Sequence, residues 1–108
     1  MTPEGQVVRA CLDLLKAERI LAFRRNSGVM KVGKRFVRFG TPGEADIECF
    51  PYGWVLWVEC KATTDQTAEQ KSFQDMVEHH CHSYLIVRSS DDLLRWLRSH
   101  SGKRLRAR

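Results

Sequence analysis

Glu59 and Lys61 stand two residues apart in the alternating run Trp54 to Lys61. On an extended strand they project to one side with Cα atoms ~6.6 Å apart, while Trp54, Leu56, Val58 and Cys60 take the other. In the run before it, Asp46 and Glu48 share a face and Ile47 and Cys49 share the opposite one. If the two runs form a hairpin that buries both cysteine faces together, Asp46 joins Glu59 and Lys61. Two carboxylates beside an ammonium group have a definite use. Their oxygens can hold Mg²⁺, which keeps several waters and recruits a phosphate, and a lysine can orient the attacking water. The competing reading is an ion pair on a solvated strand, which is the commoner origin of a bare Asp…Glu-x-Lys string.

The flanking elements must position these groups. Thr2 caps a predicted helix with Pro3 at its first position, and Glu4, Val7, Val8, Cys11, Leu14 and Leu15 follow at helical spacing. Glu4 is a carboxylate in line with the apolar face, serving either the helix dipole or a site. Ile20 to Phe23 reads as a short strand. Val29–Val32 and Phe36–Phe39 read as a basic hairpin around Gly33-Lys34, with a turn at Gly40, Pro42 and Gly43. Asp46–Phe50 and Trp54–Cys60 form a second hairpin through Pro51-Tyr52-Gly53. Thr67 and Gln70 make a capping-box signature before a helix with Phe73, Met76 and Val77 as its stripe. A strand over Tyr84–Val87 follows, then a helix capped by Ser90, with Leu93, Leu94 and Leu97 inward and Gly102 at its end. An α/β fold with a central mixed β-sheet flanked by helices is the economical packing.

The order Gly43-Glu44-Ala45-Asp46-Ile47, then Glu59-Cys60-Lys61 twelve residues after Ile47, then Gln70 on the next helix, resembles the PD-(D/E)XK (restriction-endonuclease-like) superfamily. More closely it resembles the VRR-NUC (virus-type replication-repair nuclease) branch, in its free-standing phage or bacterial form. There a glycine-rich turn precedes the Asp, a strand carries E-V-K and a Gln follows. Glu4 in Glu4-Gly5-Gln6-Val7 matches that family's helix-borne Glu, and Asn26-Ser27-Gly28 matches its Asn-x-Gly segment. The likeness runs from about Glu4 to Arg88. It departs at Ala45, where proline is usual, and at His80-Cys81-His82, where the family's helix often ends at glycine.

The resemblance implies a Mg²⁺- or Mn²⁺-dependent endonuclease acting on branched DNA such as Holliday junctions, as a homodimer. Asp46, Glu59 and the Cys60 backbone carbonyl would be its metal ligands, with Glu4 an outer or direct one, and Lys61 the group that positions the water. Gln70 would reach back to Lys61 or to substrate, or serve only as a cap. The basic loop, with Arg24, Arg25, Asn26, Lys31, Lys34, Arg35 and Arg38, would grip DNA. A sequence-specific nuclease and a non-catalytic nucleic-acid-binding module remain the rival readings.

Composition sets the frame for these expectations. The chain has 108 residues with 18 Lys+Arg and 13 Asp+Glu, a net +5, and 43% of its residues are hydrophobic. This suits one core-bearing domain, expected over residues 1–102, with a basic tail at 103–108. Between Arg19 and Gly43 lie seven cations and no carboxylate. Such a distribution fits a phosphate-backbone partner or a merely solvated basic surface. Apolar runs are too short for a bilayer, and Met1-Thr2-Pro3-Glu4 lacks the marks of a signal peptide, so a cytoplasmic location is expected. Cys11, Cys49, Cys60 and Cys81 show no C-x-x-C pairing and read as buried free thiols. His79, His80 and His82 with Cys81 crowd a helix end, but adjacent helical residues do not converge on one ion.

Overall fold

The computed structural model describes residues 1–100, so the expectations for Gly102 and the tail at 103–108 lie outside the described residues. In chain order the elements are α1 (Pro3–Ala17), β1 (Ala22–Arg24), β2 (Gly28–Val32), β3 (Arg35–Phe39), β4 (Ile47–Cys49), β5 (Leu56–Cys60), α2 (Ala68–His79), β6 (Ser83–Val87) and α3 (Ser90–Ser99). Four strands make a mixed sheet in the order β1-β4-β5-β6, antiparallel except for the parallel β5–β6 pair. The crossover through α2 makes that parallel pair possible, because parallel neighbours need a long connection. β2 and β3 pair only with each other, as a separate two-stranded ribbon.

Strand alternation sorts the sheet into two faces. Ile47 and Cys49 meet Val58 and Leu56 across the β4–β5 ladder, and all four are fully buried with Cys60 and Val87. α1 covers this face through Val8, Cys11 and Leu15, and α3 through Leu93 and Leu97. Burying an aliphatic side chain of this size stabilises a fold by about 1.5–3 kcal/mol, so this face carries most of the cohesion. On the other face a smaller cluster of Ala45, Phe73, Val77 and Tyr84, with Trp57 against it, seats α2. Helices thus lie on both faces of the sheet.

The termini of the helices largely follow their local chemistry. Thr2 Oγ1 accepts from the Gly5 N–H, with Pro3 opening α1 as expected. Thr67 and Gln70 form the full reciprocal capping box of α2. The cap of α3 differs from expectation: it is Ser89, without a side-chain bond, and Asp92 reaches back instead to accept from the Arg88 N–H.

Four further details depart from the sequence reading. The first strand begins at Ala22 because Arg19, at φ 59, carries the chain out of α1, and Ile20 packs on the core before pairing starts. Trp54 sits in the β4–β5 connection, its indole N–H donating to Ser83 Oγ at 2.7 Å. Met76 is half-exposed, since only Phe73 and Val77 of its helix turn inward. Cys81 is exposed in a left-handed turn at φ 64 just past α2, where no core surrounds it, although Cys11, Cys49 and Cys60 are buried as expected. Among the described residues no helix is long and apolar enough to cross a membrane.

Candidate active site

β5 delivers Glu59 to the α2 face of the sheet, and Lys61 follows directly on it, its N–H donating to the Val87 carbonyl at 2.9 Å. Both side chains are buried, Glu59 at 3% and Lys61 at 5% exposure, with Lys61 Nζ 3.6 Å from Glu59 Oε2. The surface ion-pair alternative therefore does not describe this pair. Asp46 enters from the residue before β4, where its Oδ2 accepts from the Cys60 N–H at 2.8 Å. The Asp46 carboxylate is near enough for its charge to raise the Glu59 carboxyl.

Gln70 closes the expected cap and with the same side chain reaches Glu59, not Lys61. Its Oε1 accepts from the Thr67 N–H at 2.9 Å, closing the capping box, while its Nε2 donates to Glu59 Oε2 at 3.1 Å. The cap thus fixes the direction of the amide. The Asp46 turn is pinned to the same helix end at Gly43, whose φ is +75°. A Cβ there would stand 2.3 Å from the Glu69 carbonyl oxygen and 2.9 Å from the Gln70 nitrogen. Only glycine allows this approach. Gly40, at φ +70°, similarly leaves 2.6 Å to the Asn26 carbonyl oxygen.

A cleft of about 250 Å³ opens over these groups, lined among others by Asn26, Ser27, Glu44 and Glu69. Glu44 is the residue sequence reasoning missed. It is buried and lies 3.9 Å from the Arg25 guanidinium, which also lies 3.8 Å from Glu48, while the Arg25 N–H donates to the Asp46 carbonyl at 2.7 Å. Arg25, expected to grip DNA, is therefore engaged by two glutamates at the rim. Its i, i+2 spacing from Asp46 was the available signal for Glu44, obscured because this segment is a turn and not a strand. Glu4 is outside the lining of this cleft: its Oε2 accepts from Thr64 Oγ1 at 2.8 Å, and its charge adds to the rise at Asp46. Arg24 ends β1 at the surface, while Lys31, Lys34, Arg35 and Arg38 are exposed on the ribbon.

The electrostatics of the site disfavour ionised carboxylates. Burial, more than any neighbour, lifts the Asp46 carboxyl above its ordinary value; Glu4 adds to the rise, and the Cys60 N–H and Lys61 oppose it. Glu59 is pushed from 4.5 to about 8 by burial first and the Asp46 carboxylate second, against the pull of Lys61. Glu59 Oε1 is fully buried with no hydrogen-bond partner. A buried, unpartnered carboxylate oxygen beside a second carboxylate is relieved by a proton or by a cation. Oxygen donors suit Mg²⁺ or Mn²⁺, so these residues fit the metal implied above. Among the described residues no group of three or more His, Cys, Asp or Glu side chains is placed to hold a metal ion. Mg²⁺ characteristically makes do with one or two carboxylates plus waters and substrate phosphate.

No family model matches the chain, and no curated protein matches it.

Proposed function

We propose that this chain is a metal-dependent endonuclease of the PD-(D/E)XK fold and VRR-NUC type, hydrolysing phosphodiester bonds in branched DNA. The observation that carries the reading is the orphaned Glu59 Oε1, on a buried carboxyl whose other oxygen lies 3.6 Å from the Lys61 ammonium. Asp46 and Glu59, with the Cys60 carbonyl as a further ligand, would hold Mg²⁺ or Mn²⁺, which would supply acidification of a water and relief of charge on the phosphoryl oxygens. The chain's own groups do the rest. Asp46 is held rigid by the Cys60 N–H and Glu59 by Gln70, so neither carboxylate must reorganise during reaction. Lys61 holds the attacking water and stabilises charge on the transferring phosphoryl group. Glu4 adds negative charge across the site. One such cleft cuts one strand, so symmetric incision of a junction calls for two copies related by a two-fold axis.

Incubation of the purified protein with flap, splayed-arm, nicked and four-way DNA, with and without Mn²⁺, tests the reading. Metal-dependent cutting of a branched substrate is expected, with Asp46→Ala and Lys61→Ala each lowering the rate by about 10³ or more while binding persists. Preferential cutting of ordinary duplex at one sequence would replace it with a restriction-type enzyme. Binding without any cutting in Mg²⁺ or Mn²⁺ would leave a non-catalytic module.

A further inference from the structure

The β2–β3 ribbon is built unlike the rest of the molecule. Apart from Gly28, every residue of its two strands is exposed, including Val29, Met30, Val32, Phe36, Val37 and Phe39. A two-stranded hairpin with no core beneath it is marginal in water, so these apolar side chains call for something to lie against. The ladder sorts them into two faces, because residues directly opposite share a side. Gly28 with Phe39, Met30 with Val37 and Val32 with Arg35 form one face; Val29 with Arg38 and Lys31 with Phe36 form the other. The first face partly covers itself, with the Phe39 ring lying over Gly28. The second carries two cations around Phe36, which at 73% is the most exposed aromatic side chain among the described residues.

Charge decides what the ribbon meets. Its twelve residues from Gly28 to Phe39 hold Lys31, Lys34, Arg35 and Arg38 and no carboxylate. A second copy of this ribbon would set four cations against four. A polyanion with apolar base faces satisfies both the charge and the exposed ring. The ribbon is also rooted at the cleft: Asn26 and Ser27, just before β2, line it, and Gly40, just after β3, packs against them.

We infer that the β2–β3 ribbon lies in a groove of the DNA with Phe36 inserted at an unstacked base step, so that it selects the branch point. A two-stranded ribbon fits the major groove, and apolar wedges entering between bases are a known way of reading deformable steps. A step already open at a branch costs least to enter. From Phe39 to Phe36 the ribbon runs ~10 Å, about three base steps, which carries the wedge away from the cleft at the ribbon's root. This inference rests on the nuclease reading for its substrate.

The experiment measures binding of the full chain in EDTA, where cutting stops, to a labelled four-way junction and to linear duplex. A 2-aminopurine at the branch point reports unstacking, and cleavage in Mn²⁺ is mapped in parallel. Wild type is expected to prefer the junction and to brighten the probe. Phe36→Ala should lose about tenfold in junction affinity and the fluorescence gain, yet keep duplex binding, with Phe36→Trp restoring both. Cuts by wild type should fall displaced from the branch and not at it. Phe36→Ala with unchanged junction preference and fluorescence overturns the inference, whether or not the protein cuts. So does a wild type that binds neither DNA, or a Phe36→Ala that changes only the sedimentation from dimer to monomer. A wild type that binds and unstacks the junction but never cuts leaves the inference standing and removes the nuclease reading.

Discussion

The cleft and the ribbon hold their charges in opposite ways. In the cleft, Asp46, Glu59 and Lys61 are gathered where the central strand β4 begins and its neighbour β5 ends, and are fixed by a backbone N–H, a helix cap and one another, with Glu59 and Lys61 dry. On the ribbon, Lys31, Lys34, Arg35 and Arg38 stand in water on a ladder that only its own strands support. Buried charges of fixed position are expensive and can act on individual atoms. Solvated charges on a projecting arm cost little and act on a partner's overall field. The molecule thus separates positioning of atoms from capture of a polyanion.

Glu59→Gln breaks the comparison most strongly, because it removes the charge that makes the cleft costly. Glu59 has its folded value raised to about 8 from 4.5, so the unfolded chain binds fewer protons across that interval. Stability from this group is fully present below pH 4.5 and is lost as pH rises through about 8. The slope reaches about 1.4 kcal/mol per pH unit. The raised Asp46 acts in the same direction. Thermal unfolding of metal-free protein should therefore show wild type and Glu59→Gln alike near pH 4.5, with the variant increasingly more stable toward pH 8. Mn²⁺ should raise the melting temperature of wild type at alkaline pH and leave the variant unmoved, since metal binding requires the ionised carboxylate. Cleavage by the variant should fall by about 10³. Parallel pH curves for the two proteins would show that Glu59 is not the strained group.

This juxtaposition was legible in the sequence because it follows from period-two alternation. Burying Ile47 and Cys49 with Leu56, Val58 and Cys60 leaves Asp46 and Glu59 no other side to occupy. The β2–β3 pairing around Gly33-Lys34 was readable for the same reason. What could not be read depended on contacts between distant segments. The left-handed exit at Cys81 and the use of Ser89 as a cap are decided by how α2 and α3 dock on the sheet. The engagement of Arg25 by Glu44 and Glu48 arises only once the turn before β4 folds beneath β1. The isolation of the ribbon is likewise a property of topology, since its strand pattern alone is compatible with membership of the main sheet.

Gln70→Ala tests how far the rigidity of the cleft derives from α2. It removes half of the capping box and the amide on Glu59 Oε2 together. Loss of about 1 kcal/mol of stability is expected from the cap, with cleavage about tenfold slower as Glu59 loosens. Gln70→Glu separates the two effects. It retains an oxygen for the Thr67 N–H but sets a carboxylate against Glu59, so the melting temperature should largely survive while the apparent metal affinity changes. A Gln70→Glu protein with wild-type metal affinity and cleavage would assign Gln70 to the cap alone.

The smallest effect belongs to the ribbon, and its form matters more than its size. Lys31 neighbours Phe36 across the ladder and is exposed, so Lys31→Ala should leave the melting temperature unchanged. If it meets a phosphate, DNA affinity should fall a few-fold on junction and duplex alike, and the slope of log affinity against log salt should shrink by about one. The cleft makes the opposite demand: its charges are desolvated, so replacing them alters the chemical step and leaves the salt slope nearly untouched. Double substitution at Lys31 and Arg38 should shrink the slope by about two, because exposed cations this far from the cleft act independently. A slope unchanged by both, in a protein that still binds, would move the polyanion off the ribbon and back to the rim around Arg24 and Arg25.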